Sequence, residues 1–414
     1  MKHEIMQRIE QIRRGEVPEG YKKGKLGIVP EEWADTSFST LFTSTSDYTD
    51  DLDKYPLYSL TIEEGVTPKT ERYERSHLVK KEDSYKIVRP NDYAYNPMNL
   101  RFGAVARHKG NIPVAVSGYY DIFTTVCKSD LPFMDSFLIC TPMITYYNKV
   151  STGSLIEKQR VHFSQFLEFV LPLPSIKERA QIAAILTTQD KVIELKEKRL
   201  AEKQRQKKYL MQLLLTGKKR LPGYWGEWNV PKAKEVFQSV TDKNHKGDLM
   251  VLSATQDKGI MPRNEVDIDI KYEVSSLANY KKVCQGNFVI SLRSFQGGIE
   301  YSAYTGLVSP AYTVLSSKKE FCDEYYKQYF KSADFINRLN VAVYGIRDGK
   351  QISFEDFGRL RIPYPPINEQ SAIAQVLSTA DREISLLRQD IEQEKQKKKA
   401  LMQLLLTGIV RVKT

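Results

Sequence analysis

Apolar positions recur at alternating spacings of four and three along two stretches of the chain. In the later one the series runs Ile373, Leu377, Ala380, Ile384, Leu387, Ile391, Glu394, Lys398, Leu401, Leu405. In the earlier one it runs Ile182, Leu186, Gln189, Ile193, Lys196, Leu200, Lys203, Lys207, Leu210, Leu214. This is a coiled-coil seam, broken near Glu394 and more polar in the middle of the earlier copy. Residues 176–215 and 367–406 hold no Pro or Gly and are rich in strong helix formers. Gly217 and Gly408 follow where a C-cap favours glycine, and the Pro-rich runs at 172–174 and 363–366 block helix upstream. Glu178 and Glu369 suit the positive helix starts, and Lys207, Lys208 and Lys397–Lys399 fall toward the other ends. Forty helical residues span about 60 Å, too long for the inside of a small domain. The simplest partner for one helix is the other, running antiparallel; the competing arrangement packs each helix back on its own body.

The remaining segments, 20–170 and 218–361, have a different rhythm. Short alternating or β-branched runs between turn residues predict strands at Tyr55–Ile62, Tyr85–Val88, Ala104–Ala106, Pro113–Val116 and Ile122–Cys127. In the second body they fall at Met250–Ala254, Asn287–Leu292 and Ala311–Leu315. Aromatic stretches at Phe133–Asn148 and Phe321–Leu339 predict helices, with Pro142 a complication in the first.

The two halves are copies. Leu-Met-Gln-Leu-Leu-Leu-Thr-Gly at 210–217 recurs unchanged at 401–408, an offset of 191, and residues 172–217 match 363–408 at 21 of 46 positions. Chance would give about three. Fainter matches extend into the bodies, among them Glu32-Trp33 with Glu227-Trp228, and Ser59, Gly65 and Pro68 with Ser253, Gly259 and Pro262. The reading is an α+β chain with a pseudo-twofold internal repeat, in which two mixed α/β bodies are separated by two long helices forming an antiparallel coiled coil. The expected divisions are 1–170, 171–217, 218–361 and 362–414.

Composition narrows the class. With 414 residues, 41% hydrophobic and 27% charged, the chain suits two or three globular domains. No apolar run reaches the roughly 20 residues that span a bilayer. The first fourteen residues are charged and lack the apolar core of a secretory leader. Four cysteines, none in a Cys-x-x-Cys pair, exclude a disulfide scaffold and a zinc knuckle. Together these imply a cytoplasmic chain. The surplus of 62 basic over 51 acidic residues gives +11, which favours a polyanionic partner through counterion release.

Candidate chemistry lies in loops. In the first body Lys69, Arg72 and Arg75 form a basic, aromatic run with Tyr73, and Asn99, Arg101, Arg107 and Lys109 form another. In the second body Arg293, Ser294, Gln296 and Tyr301 occupy the corresponding stretch. Arg, Asn and Gln are the side chains that pair bidentately with guanine and adenine edges. Just before each tail, Lys158 and Arg160, and Arg347 and Lys350, have the character of phosphate clamps. The competing reading of each is a solvated charged loop. Catalytic signatures are missing: there is no His-Glu-x-x-His, no Gly-x-Ser-x-Gly, no phosphate-binding glycine loop, and five scattered histidines form no metal pattern. Asn96-Pro97-Met98-Asn99 lacks the second proline and the aromatic of the amino-methyltransferase motif.

Two variable bodies alternating with two near-identical helices resemble the specificity subunits of type I restriction–modification systems. The match is carried by Pro172–Ala183, Pro365–Ala374 and the two identical octapeptides, and it covers essentially the whole chain. The resemblance implies that each body is a target recognition domain reading one half of an asymmetric, bipartite DNA sequence. The helices would be the spacer between half-sites about one turn, ~34–36 Å, apart. Two methyltransferase subunits would dock on the helices and bodies, with Leu213, Leu214, Leu404 and Leu405 as candidate contacts, and motor-nuclease subunits would join the larger complex. The chain itself would be non-catalytic, with S-adenosylmethionine, ATP and Mg²⁺ held on the partner subunits. Rival readings are a targeting subunit for a fused methyltransferase–nuclease, a coiled-coil scaffold that binds no DNA, and a nuclease with a diffuse carboxylate site.

Overall fold

In a computed structural model of the chain, residues 2–69, 85–153, 159–256, 258–266, 274–292, 294, 298–343 and 352–413 are described. Two helices of 39 residues, Ile176–Leu214 and Ile367–Leu405, match the stretches marked by the seam to within a residue at each end. Packing divides the chain through their middles rather than at their ends. One unit is residues 1–195 with 391–414, and the other is 196–390. The first therefore holds the start of the first long helix and the end of the second; the other holds the complementary pieces.

Within each unit the helix segments pair antiparallel, as the seam predicts. In the first unit Gln189 Nε2 donates to Glu394 Oε2 at 2.7 Å and Lys398 pairs with Asp190 at 2.5 Å. The break in the apolar series at Glu394 is thus answered by a polar seam residue opposite. In the second unit Lys196 pairs with Asp390 at 2.8 Å, Lys203 with Glu383 at 2.7 Å and Lys207 with Asp381 at 2.6 Å. Asp190–Lys398 and Asp381–Lys207 are the same ion pair in the two repeats. None of the twenty seam positions is exposed. The competing arrangement also holds in part, because the helix segments pack on the bodies: Ile182, Leu186, Leu405 and Leu406 join the first unit's core, and Leu214, Leu215, Ile373 and Leu377 join the second's.

Each body is built on an antiparallel four-stranded sheet. In the first its order is Val105–Arg107, Tyr93–Tyr95, Asp121–Thr125, Phe42–Ser44; in the second it is Glu300–Tyr301, Phe288–Ile290, Thr313–Ser317, Phe237–Val240. A hairpin lies beside each, Tyr58–Thr61 with Gly65–Pro68 and Leu252–Thr255 with Gly259–Pro262. One sheet face is covered by aromatics from short helices. Phe38, Phe42, Tyr93, Tyr95, Phe123 and Phe166 pack together in the first body, and Phe237, Phe288, Tyr326, Phe330 and Phe357 in the second. The predicted helix Phe133–Asn148 is two helices, Leu131–Phe137 and Thr141–Val150. Pro142, in the first turn of the second, forces the break and suits a position needing no N–H. Phe321–Leu339 likewise divides into Asp323–Tyr329 and Ala333–Val343. Among the described residues no helix is long and apolar enough to cross a membrane.

The octapeptide repeat has a local physical cause. At its end Gly217 and Gly408 adopt φ of +72° and +71°, and Lys219 N–H and Val410 N–H reach back to the carbonyls of Leu213 and Leu404. This is a left-handed glycine C-cap, a conformation that a residue with a Cβ adopts only under strain. Beside each cap stands the tryptophan of the Glu-Trp repeat. Trp228 Nε1 donates to Glu369 at 3.0 Å, and Arg220, three residues past Gly217, forks onto the same carboxylate at 2.6 Å through both Nε and Nη2. In the first unit Trp33 donates to Glu178 at 3.3 Å, and Arg411, three residues past Gly408, forks onto it at 2.7 and 3.0 Å. The start of each long helix is thus clasped to the chain just past the end of the other.

Glu369 is fully buried. Glu369→Ala would leave Arg220 and the Trp228 indole without their acceptor, and the expected loss of stability is about 3–5 kcal/mol. Urea unfolding of the variant checks this; a loss under about 1 kcal/mol would show the clasp to be dispensable.

Candidate nucleic-acid interface

In the first body the chain leaves strand Tyr93–Tyr95 through a turn held by Asn96, whose Oδ1 accepts from Met98 N–H at 3.1 Å and Asn99 N–H at 3.4 Å. A 3-10 turn, Leu100–Phe102, follows and closes on Gly103 at φ +94°. The result displays Asn99 and Phe102 at the surface. Arg101 is half-buried: its guanidinium lies 4.5 Å from the Phe102 ring centroid and donates to Gln159 at 3.1 Å. Two loops far apart in sequence, around 101 and 159–160, therefore form one surface, with Arg160 exposed beside Gln159. Arg101 Nε is buried without a hydrogen-bond partner among the described residues, so this cation is only partly satisfied by its own fold. Lys69 is exposed just past the strand Gly65–Pro68.

Arg107 is differently placed and is removed from the set of candidate base readers. Its guanidinium forks onto Asp135, Nε to Oδ1 at 2.9 Å and Nη2 to Oδ2 at 2.7 Å, and Nη1 donates to Asn91 at 2.6 Å. Tyr93 Oη also donates to Asp135, at 2.8 Å. Burial works to raise the Asp135 carboxyl, but the Arg107 hydrogen bond and charge prevail and hold it below the usual carboxylate range. Lys109 remains exposed, 3.5 Å from the same carboxylate.

In the second body Ser294 is a core residue: it is fully buried, and its Oγ accepts from Ser291 N–H at 2.8 Å. Its hydroxyl is spent on closing the turn, so it too leaves the candidate readers. Tyr301 is half-buried against Phe288, with Lys327 Nζ 5.3 Å from its ring centroid and its hydroxyl donating to Asp323 at 3.4 Å. Burial and the Asp323 charge both raise the Tyr301 pKa. Tyr301 lines a cavity of about 560 Å³ together with Lys207, Lys258, Lys327 and Lys331 and with Asp381, Glu324 and Glu300, which pair with three of those lysines. Lys258 and Lys327 are basic groups that the sequence did not single out. Lys327 forms a helix-surface pair with Glu324 at 3.2 Å. Candidates Arg72, Arg75, Lys158, Arg293, Gln296, Arg347 and Lys350 lie outside the described residues.

The expected partner contacts divide. Leu214 and Leu405 are buried in the two unit cores, where the pull of the tail ends into the bodies takes them out of reach of any partner. Leu213 and Leu404 are half-buried, and their carbonyls serve the caps.

The Arg107–Asp135 pair makes a pH-dependent prediction. A carboxyl whose folded pKa lies below its unfolded value, about 3.9, stabilises the fold fully above that value and loses the contribution as pH falls through the folded pKa. Arg107→Ala is expected to cost about 3 kcal/mol near neutrality and to narrow its deficit below about pH 4, read by denaturation at several pH values. A deficit independent of pH would mean that packing, not charge, is what the arginine supplies.

Residues 226–396 match the family model described as the type I restriction modification DNA specificity domain. Across 96% of its length the chain is 23% identical to a Methanocaldococcus jannaschii protein assigned as the MjaX type I restriction enzyme specificity subunit, covering 98% of that protein. A second protein of that organism, the MjaVIII specificity subunit, is 28% identical over 273 residues, 60% of this chain and 64% of that one. In fold, the chain is similar to one in a solved structure concerning complex assembly and conformational transition of the type I R-M system. The TM-score is 0.56 at 15% identity, over 92% of this chain and 99% of the other.

Proposed function

We propose that this chain, which belongs to the specificity subunits of type I restriction–modification systems, recognises an asymmetric two-part DNA sequence and directs catalytic partner subunits to it. The observation that carries the reading is the pairing of sameness and difference. The two units share sheet order, clasp and helix caps, while their loop surfaces are unlike: Asn99, Arg101 and Phe102 in one, Tyr301, Lys258 and Lys327 in the other. One scaffold with two dissimilar faces suits a reader of two different half-sites. The surplus of eleven positive charges supplies affinity for the phosphate backbone without regard to sequence.

On this reading the chain carries the address and no chemistry. Two methyltransferase subunits hold S-adenosylmethionine and modify the DNA, and motor-nuclease subunits bring ATP and Mg²⁺. The paired helices, each shared by both units, set the tolerated gap between half-sites.

Two measurements test this. Arg101→Ala is expected to weaken binding to the specific duplex by about 1–3 kcal/mol if the guanidinium reads a base; an equal loss on random duplex would assign it to phosphate. Inserting four residues after Glu197 lengthens that helix by about 6 Å and is expected to change the tolerated gap, as mapped from modified bases in a genome carrying the altered system. An unchanged target would overturn the spacer role.

A further inference from the structure

The two clasps differ in one respect: among the described residues only one is roofed. In the first unit the N-terminal helix Lys2–Arg13 and the hairpin Tyr21–Gly24 with Gly27–Pro30 precede Trp33. Tyr21 Oη donates to the Gly408 carbonyl at 2.8 Å, and Arg8 Nη1 donates to the Ile409 carbonyl at 2.9 Å. Pro30 packs so tightly on Gly408 that a Cβ there would come within 2.4 Å of its Cδ, and Gly24 lies against Pro172. Trp33 is 2% exposed, and Gly408 and Ile409 are buried.

In the second unit the chain passes from Arg220 to Trp228 with seven residues between and forms no such hairpin. The repeat-equivalent floor, made of Gly217, Arg220, Trp228 and Pro363, lies open. With Val230 and Arg338 it lines a cavity of about 410 Å³. Trp228 is half-buried, and Trp225, next in the chain to the lining Gly226, is 84% exposed. An exposed tryptophan beside a preformed hollow has the character of an interface anchor.

We propose that this open face receives a polypeptide segment of a protein partner, which offers a hydroxyl donor to the Gly217 carbonyl and apolar side chains to Trp228 and Pro363. The chain's own N-terminal hairpin is the template, because its Tyr21 donates to the Gly408 carbonyl, its Pro30 packs on Gly408 and its Gly24 lies against Pro172. A nucleic acid fits less well: Arg220 is committed to Glu369 and Arg338 is paired with Asp334 at 2.9 Å, so the lining arginines hold no spare charge for phosphate. A second copy of this chain fits less well too, since its hairpin is already seated on its own clasp. Naming the partner as the methyltransferase subunit rests on the functional reading above. The consequence is inequality: one methyltransferase copy meets a face the chain has roofed, and the other supplies the roof itself.

The test uses the full chain produced with its methyltransferase subunit. Val230→Arg obstructs the cavity and Trp225→Ala removes the anchor, and neither residue belongs to the clasp. Both variants are expected to keep the wild-type melting temperature and random-duplex affinity. One methyltransferase copy is expected to bind at least tenfold more weakly, so that native mass measurement shows one-copy complexes where the wild type shows two. Wild-type tryptophan emission is expected to shift on complex formation, and the shift to shrink in Trp225→Ala. Two copies retained at wild-type affinity in both variants would overturn the proposal. So would an emission shift produced by duplex DNA but not by the methyltransferase, or self-association of the chain abolished by Val230→Arg. A wild-type chain that binds no methyltransferase subunit at all would overturn the functional reading, and the partner's identity with it.

Discussion

A carboxylate buried without partners costs several kcal/mol, yet each long helix buries one in its first turn, Glu178 and Glu369. Each is tolerable only because an indole N–H and a forked guanidinium converge on it. The guanidinium comes from past the end of the opposite helix, so satisfying the charge requires the two helices to lie antiparallel in one axial register. An apolar seam alone tolerates sliding; a buried ion pair at fixed positions does not. The seam's polar positions reinforce this, since Gln189–Glu394 and the lysine–aspartate pairs match only in the same register.

This explains the uneven divergence of the repeats. The tail residues that stayed alike are those that build the cap, the clasp and the register: the glutamates, the terminal Leu-rich octapeptides with their glycines, and the Asp190 and Asp381 partners of Lys398 and Lys207. They must satisfy one geometry twice. The body loops satisfy no such common constraint. Their sheets are held by aromatic packing, which tolerates exchange of one ring for another, as where Tyr93 in one body stands where Phe288 does in the other.

The long helices, their ends and eight of the twenty-one described strands were legible in the sequence because each depends on local periodicity, on a cap glycine or on proline. Tyr85–Val88 is as expected, and the other predicted strands shift by one to three residues at their ends. The division of the chain through mid-helix was not legible, because it is decided by which core receives Leu405 and Leu214. The Glu-Trp repeat was visible as a pattern, but its meaning was not: only the fold shows the indole reaching a carboxylate about 145 residues away. In the candidate interface, residue type alone could not separate Arg101, partly free, from Arg107, locked to Asp135, nor show that Ser294 faces inward. Those fates depend on neighbours distant in the chain.

Because the first unit incorporates residues 391–414, it lacks Leu405, Leu406 and the Arg411 fork until the whole second unit has been made. The nascent N-terminal body must emerge and wait, its apolar face uncovered, through the synthesis of the whole other unit, which can close as soon as residue 390 is out. Growing chains usually complete their domains from the N-terminus onward. Here the order is inverted, and a truncation just before Leu405 would strike the unit whose synthesis began first.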